Sequence, residues 1–116
     1  TMNKIKLVVN NETKRNEKEK FFIKKELQSI LNLYAKMVSN GSWKDYSFTS
    51  GIKEVSFDVY QRASEKPVLR ILKNLKPRYF NEKYLIKDKN GAILKKSENL
   101  NQLISKTSWN KLKLVK

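Results

Sequence analysis

The sequence lacks both cysteine and histidine. Without cysteine the chain forms no disulfide and offers no thiolate to a metal, which fits a reducing compartment. Without histidine it lacks the commonest general acid–base group and the commonest metal ligand. No carboxylate cluster or glycine-rich phosphate loop replaces them, because the three Asp lie on separate segments and only three Gly are present. We therefore expect a protein that is not an enzyme and has no metal and no cofactor.

Long apolar runs are also missing. No stretch approaches the roughly 18–20 apolar residues that a membrane span needs. The first residues carry no apolar core of the signal-peptide kind. We expect a cytoplasmic protein with no membrane span.

Acidic residues are scarce, and the imbalance is uneven along the chain. The protein has 26 Lys and Arg against 11 Asp and Glu, a net charge of +15 in 116 residues. Residues 1–20 net +3 and residues 21–65 net +1, whereas residues 66–116 net +11. A lysine-rich composition typical of AT-rich genomes does not explain this concentration in one part of the chain. A field of this size attracts polyanions, so nucleic acid or another polyanion is the expected partner.

The apolar spacing changes from a helical to a strand period along the chain. Residues 16–39 repeat apolar side chains at helical spacing, and Asn40-Gly41 predicts the end of that helix. Alternation then predicts strands at residues 46–49, 54–61, 68–75, 83–88 and 92–96, the last two joined by a hairpin at 89–91. Ser97 is the expected N-cap of a short helix. The pattern predicts an α+β fold of two layers, with an N-terminal amphipathic helix packed on a four- or five-stranded antiparallel meander and a short C-terminal helix.

The same patterns divide the chain and predict its core. We expect a mobile basic segment at 1–20, a single α+β domain at 21–106 and a basic tail at 107–116. The tail is either loose or a strand, for which residues 4–9 are the candidate neighbour. The predicted core consists of Ile23, Leu27, Ile30, Tyr34, Met37, Phe57, Val59, Ile71, Leu100, Leu103 and Ile104.

Two motifs resemble a known family. The first is Leu33-Tyr34 in the helix followed by Trp43-x-Asp45-Tyr46, and the second is Arg62-Ala63-Ser64-Glu65-Lys66-Pro67. Together they resemble a family of small alphaproteobacterial proteins known only as a domain of unknown function, over roughly residues 21–105. Two positions depart from the family pattern: Ser42 stands where the family often has an acidic residue, and Gln61 stands where it often has a basic one. The resemblance implies a bacterial source and brings no activity with it.

Each motif has a structural and a functional interpretation. Trp43 is expected to be buried at the helix–sheet corner with Asp45 hydrogen-bonded locally; the alternative makes Asp45 a general base or ligand contact. The Ser64-Glu65-Lys66 segment is expected to be a turn, with a recognition loop as the second interpretation, because a polar loop does not bury a lysine enough to activate a serine.

The remaining candidate site is a basic surface with an aromatic side chain. Tyr60, Arg62 and Arg70 are expected to share the sheet face opposite Val55, Phe57 and Val59. The full candidate nucleic-acid-binding set is Tyr60, Arg62, Arg70, Lys73, Arg78, Lys83 and Lys96. Cations beside an aromatic ring suit phosphate contacts and base stacking, as in the binding of single strands. The alternative is a solvated lysine-rich face with one supporting cation–π pair.

Function therefore rests on charge and surface chemistry. We expect a small non-enzymatic protein that binds nucleic acid, with RNA or single-stranded DNA favoured. The alternative is an adaptor or regulator that binds an acidic protein through the same field or through a free sheet edge.

Overall fold

The computed structural model describes residues 20–62, 66–107 and 109. Helix α1 (Lys24–Ser39) comes first, followed by strands β1 (Asp45–Ser50), β2 (Glu54–Tyr60) and β3 (Leu69–Asn74). A 3₁₀ turn (Phe80–Glu82) precedes β4 (Tyr84–Asp88) and β5 (Ile93–Ser97), and helix α2 (Leu100–Lys106) ends the order. The predicted α+β architecture is confirmed. The expected mobile segment 1–20 and basic tail 107–116 lie almost wholly outside the described residues.

Helix α1 begins later than its apolar pattern predicts. Ile23 is the N-cap, and its backbone N–H donates to Glu26 Oε1 at 2.8 Å, so the helix is capped from within its own first turn. Of the predicted start at 16–23, residues 16–19 lie outside the described part and residues 20–23 are not helical. The predicted end is confirmed: Gly41 has φ +84°, and Ser42 N–H donates to the Met37 carbonyl at 2.9 Å.

The five strands form one antiparallel sheet in the order β1-β2-β3-β4-β5. Strand β4 turns into β5 through Gly91, whose φ is +88°. Asp88 Oδ1 accepts the N–H groups of Asn90 and Ala92 at 2.9 Å each, so the predicted hairpin is confirmed. In a meander of this kind the β1–β2 turn and the β3–β4 connection lie at one end of the sheet. The β2–β3 and β4–β5 turns lie at the other end.

One face of the sheet, called here the inner face, forms the core with the helices. From the strands it takes Val55, Phe57, Val59, Leu69, Ile71, Tyr84 and Ile86, and from the helices Ile30, Leu33, Met37, Leu100 and Leu103. Most predicted core residues are confirmed, but Leu27, Tyr34 and Ile104 are only partly buried against the cluster and Ile23 is half-buried.

The burial predicted for the apolar residues along α1 is partly wrong. Leu31 and Val38 are 39% and 41% exposed, whereas Leu33 is 6% exposed and belongs to the core. The side chains of α1 that the fold buries are those of Glu26, Ile30, Leu33 and Met37, at spacings of four, three and four. One of these core-facing positions is thus occupied by a charged residue, Glu26, for which the sequence pattern predicts no ion-pair partner.

Trp43 lies buried at the corner between α1 and β1, as predicted, and is 5% exposed. Its ring lies near those of Tyr34, Phe57 and Trp109, with centroids at 6.2, 6.4 and 5.8 Å. Asp45 is exposed at the start of β1, and its Oδ1 accepts the Tyr46 N–H at 2.8 Å. The predicted local hydrogen bond is therefore confirmed.

Helix α2 packs beside α1 and against β4 and β5. Its N-cap is Asn99, whose Oδ1 accepts the Gln102 N–H at 3.0 Å; the predicted cap at Ser97 is wrong by two residues. Ser29 Oγ donates to Asn101 Oδ1 at 2.7 Å and joins the two helices. Among the helices in the described ranges, none has the length and apolar character that crossing a membrane requires.

Candidate polyanion interface

Lys73 does not lie on the predicted binding face. It sits on the inner face, paired in register with Val55 and Tyr84, and is 5% exposed beneath the start of α1. Its Nζ donates to Glu26 Oε1 at 2.8 Å and to the Phe21 carbonyl at 2.9 Å. Placing it beside Arg70 was wrong, because residues three apart on a strand point to opposite faces. Lys73 is therefore a structural cation and not a contact for a polyanion.

The opposite face of the sheet, called here the outer face, carries a polar network centred on Asp58. Asp58 is 3% exposed and lies between Ser47 and Arg70 in the register. Its carboxylate accepts from Thr49 Oγ1 at 2.6 Å, Ser56 Oγ at 2.8 Å and Arg70 Nε at 2.9 Å. The Asp58 carboxylate therefore offsets part of the charge that Arg70 presents to an anion.

Tyr60 and Arg70 do share the outer face, as predicted, while Arg62 lies just past the end of β2. The Tyr60 hydroxyl is 3.1 Å from Ser47 Oγ, and the ring is half-buried. Arg62 is exposed. Lys87, on β4, is the direct cross-strand partner of Arg70. Arg70 and Lys87 therefore lie side by side on the outer face. The carboxylate of Asp58 is within hydrogen-bond distance of Arg70.

Arg78, Lys83 and Lys96 form a second group at the other end of the sheet. Arg78 is exposed in the β3–β4 connection. Lys83 is half-buried, and its Nζ lies 5.5 Å from the centroid of the Tyr84 ring. Lys96 lies on the outer face of β5, with its Nζ 3.8 Å from Glu82 Oε2. The seven predicted residues thus separate into one buried lysine and two surface groups at opposite ends.

Two exposed aromatic side chains of the second group lie outside the predicted set. Tyr79 and Phe80 are 61% and 79% exposed. Both lie in the β3–β4 connection, just after Pro77 and outside every strand. The signal was available, because neither residue falls in an alternating or helical apolar pattern, so neither had a place in the predicted core.

The groove between α1 and α2 offers different chemistry. Its volume is about 820 Å³, and its walls carry neutral amides and hydroxyls over apolar side chains, with Lys36 as the cation among them. In the ranges that the structure describes, no three acidic, histidine or cysteine side chains gather as metal ligands would. Since Lys36 is the one cation among the described residues that line it, the groove lacks the concentrated positive charge of the sheet surface.

Comparison with known proteins gives the chain a family. No curated protein and no solved structure matches it. A family described as "Protein of unknown function (DUF2794)" matches residues 20–104, which is most of the chain and includes both motifs noted in the sequence. The match spans α1, the whole sheet and most of α2. The chain belongs to the DUF2794 family of proteins of unknown function.

Proposed function

We propose that this protein is a non-enzymatic nucleic-acid-binding protein that favours RNA or single-stranded DNA. The observation that carries the proposal is the number of cations without a carboxylate partner. Among the described residues from 66 onward there are eleven Lys and Arg and three Asp and Glu. Within these ranges ion pairs engage Arg70, Lys73 and Lys96, which leaves eight of the eleven without a carboxylate at salt-bridge distance.

The position of these cations supports a sheet-centred interface. Lys87 lies on the outer face beside Arg70, Arg62 is exposed past one end of that face, and Arg78 is exposed at the other end. Like charges directly opposite each other on a sheet destabilise it, so a phosphate between Arg70 and Lys87 would relieve their repulsion. Release of counterions from the neutralised phosphates would supply much of the affinity.

The chemistry of this surface favours binding over catalysis. Lysine and arginine are strong hydrogen-bond donors to phosphate, but arginine stays protonated and lysine serves as a general base only where it is deeply buried. Lys83 and Lys87 are half-buried and Lys96 is exposed, so none of the three is enclosed in this way. The absence of histidine and cysteine from the whole sequence supports the same view.

The test is a titration of labelled single-stranded and duplex oligonucleotides at two salt concentrations, followed by fluorescence anisotropy. If about five phosphates are neutralised, the log–log slope of affinity against salt should be roughly −3.5 for a single strand and −4.5 for a duplex. Arg78→Glu combined with Lys87→Glu should weaken binding far more than Lys24→Glu combined with Lys36→Glu, which makes the same charge change at exposed sites of helix α1, on the inner side of the sheet. Absence of binding at low salt refutes the proposal, and equal losses in the two double variants refute the location.

The edge strand β5 supports a second candidate function, that of an adaptor for an acidic protein. Ile93 and Leu94 are 53% and 37% exposed on it, next to Lys95 and Lys96. An acidic extended segment added to this edge would gain backbone hydrogen bonds and charge pairing. Leu94→Pro removes a backbone donor from β5 without changing the charge, so it should abolish binding of an acidic peptide and spare binding of oligonucleotides.

A further inference from the structure

Ten of the twelve aromatic side chains make ring contacts or hydrogen bonds with other residues of the protein. All twelve lie in the described ranges. Tyr60 and Tyr84 donate or accept hydrogen bonds through their hydroxyls. Eight others form a continuous set of ring contacts, namely Phe21, Phe22, Tyr34, Trp43, Tyr46, Phe48, Phe57 and Trp109.

Tyr79 and Phe80 are the two exceptions. Within the described part of the chain neither has an aromatic neighbour or a side-chain hydrogen bond, and they are 61% and 79% exposed. Burial of an aromatic side chain stabilises a fold, so two adjacent exposed rings forgo that stabilisation. Their exposure is not accounted for by the folding of this domain.

The backbone beneath the two rings is held in place. Asn74, at the end of β3, donates its side-chain N–H to the Glu82 carbonyl at 2.8 Å and its backbone N–H to the Lys83 carbonyl at 2.7 Å. The 3₁₀ turn adds hydrogen bonds from Glu82 N–H to the Tyr79 carbonyl and from Lys83 N–H to the Phe80 carbonyl, at 2.9 and 3.1 Å. A ligand that stacks on these rings therefore pays little entropy to order the backbone that carries them.

Cations flank the rings on both sides along the chain. Lys76 and Arg78 precede them and are exposed, and Lys83 follows them. The neighbouring β1–β2 turn approaches the start of the connection, because Leu75 N–H donates to the Lys53 carbonyl at 2.8 Å. The carboxylate within the connection, Glu82, lies 3.8 Å from Lys96 Nζ. Aromatic rings set between cations match the alternation of base and phosphate along a nucleic-acid strand.

We propose that the β3–β4 connection, residues 75–83, is a stacking platform for unpaired bases, with Tyr79 and Phe80 as the stacking side chains. The proposal rests on the nucleic-acid-binding function proposed above and names its substrate as a single strand or an unpaired loop. Bases in a duplex already stack on each other, so exposed rings gain most from bases that are unpaired. Lys76, Arg78 and Lys83 then contact the phosphates on either side of the stacked bases.

The test compares Tyr79→Leu/Phe80→Leu with Tyr79→Phe/Phe80→Tyr on the full chain. The leucine variant keeps apolar side chains and removes the rings, so affinity for a single strand should fall roughly 5- to 150-fold per stacked base while duplex affinity stays nearly constant. The variant that exchanges one ring for another should bind like the parent. Ile52→Ala is the matched control, because Ile52 is an 87% exposed aliphatic residue in the turn at the same end of the sheet and should not affect stacking.

The outcomes separate this proposal from the one on which it rests. If the leucine variant binds single strands as tightly as the parent and with the same salt slope, the platform is refuted and the proposed function stands. If the parent binds no oligonucleotide at low salt, both are refuted. Vesicles with and without anionic phospholipid form a further arm: binding to anionic vesicles that the leucine variant keeps and Ile52→Ala weakens, without oligonucleotide binding, would identify the patch as a membrane contact instead.

Discussion

Lys73 and Glu26 form an ion pair in the interior of the protein, 47 residues apart in the sequence. Their Nζ and Oε1 atoms are 2.8 Å apart, and the two side chains are 6% and 10% exposed. Glu26 also accepts the Ile23 N–H and the Tyr84 hydroxyl. One carboxylate thus joins the start of α1 to β3 and β4, and each of its partners compensates for the cost of removing it from water.

Removal of one partner of this pair should be severely destabilising. Lys73→Met leaves the Glu26 carboxylate buried without its cation, and we expect the free energy of unfolding to fall by about 3–5 kcal/mol in urea denaturation. The double variant Glu26→Gln/Lys73→Met removes both charges and should lose less than Lys73→Met alone. Lys24→Met, at an exposed position in the same helical turn, is the control and should stay within about 0.5 kcal/mol of the parent. A double variant less stable than Lys73→Met would contradict the buried pair.

Tyr84 should resist ionisation in the folded protein. Burial, together with the hydrogen bond to and the negative charge of Glu26, raises its pKa well above the ordinary 10.0. Below pH 10 this residue adds no pH dependence to stability. As the pH rises above 10 the unfolded chain loses the phenolic proton while the folded protein keeps it, so stability falls with pH.

Ultraviolet titration of the tyrosines should therefore show a fraction that ionises only with alkaline unfolding. The pKa of Tyr34 is also raised above its ordinary value, by burial and by Asp45 and Tyr46. Tyr84→Phe should reduce the size of that fraction. A late fraction of unchanged size in Tyr84→Phe would mean that Tyr84 is accessible to hydroxide in the folded protein.

Two leucines of α1 provide a matched pair for the packing of the helix. Leu33 is 6% exposed and Leu31 is 39% exposed on the same helix. Leu33→Ala should lower the free energy of unfolding by about 2–5 kcal/mol because it opens a cavity beneath the sheet. Leu31→Ala should cost less, since 39% of the Leu31 surface is already in contact with solvent and a smaller cavity is opened. Equal midpoints of urea unfolding in the two variants would mean that α1 packs through a different face.

The parts of the fold that the sequence predicts best are those fixed by local chemistry. Gly41 and Gly91 adopt positive φ where a helix stop and a hairpin were expected, because no tertiary contact is needed to impose these turns. The start of α1 was missed because it depends on Glu26, whose partners Lys73 and Tyr84 come from distant strands. From sequence alone a charged residue is expected to be exposed, because charged residues are rarely buried without a partner.

The sequence predicts the chemistry of the candidate site, a basic surface, but not all of the residues that form it. Net charge located the half of the chain that carries most of the excess cations, and strand alternation placed Tyr60 and Arg70 on one face. The same alternation, applied to Lys73, would have excluded it from that face. Tyr79 and Phe80 fall in no alternating or helical apolar pattern, which is a signal in the sequence, but their exposure is seen only in the fold.

The Asp58 network provides a last prediction, on the stability of the outer face of the sheet. Asp58 accepts three hydrogen bonds on the outer face, of which the one from Arg70 is a charged pair at 2.9 Å. Asp58→Asn keeps the shape but replaces one acceptor oxygen with a donor that faces hydroxyl and guanidinium donors. We expect a loss of about 1.5–3 kcal/mol in the free energy of unfolding. Arg70→Gln, at a side chain that is 34% exposed, should cost less because Thr49 and Ser56 still satisfy the carboxylate. Urea denaturation of both variants checks the order. If Arg70→Gln lowers the free energy of unfolding more than Asp58→Asn does, the guanidinium and not the carboxylate supplies most of the network's stability.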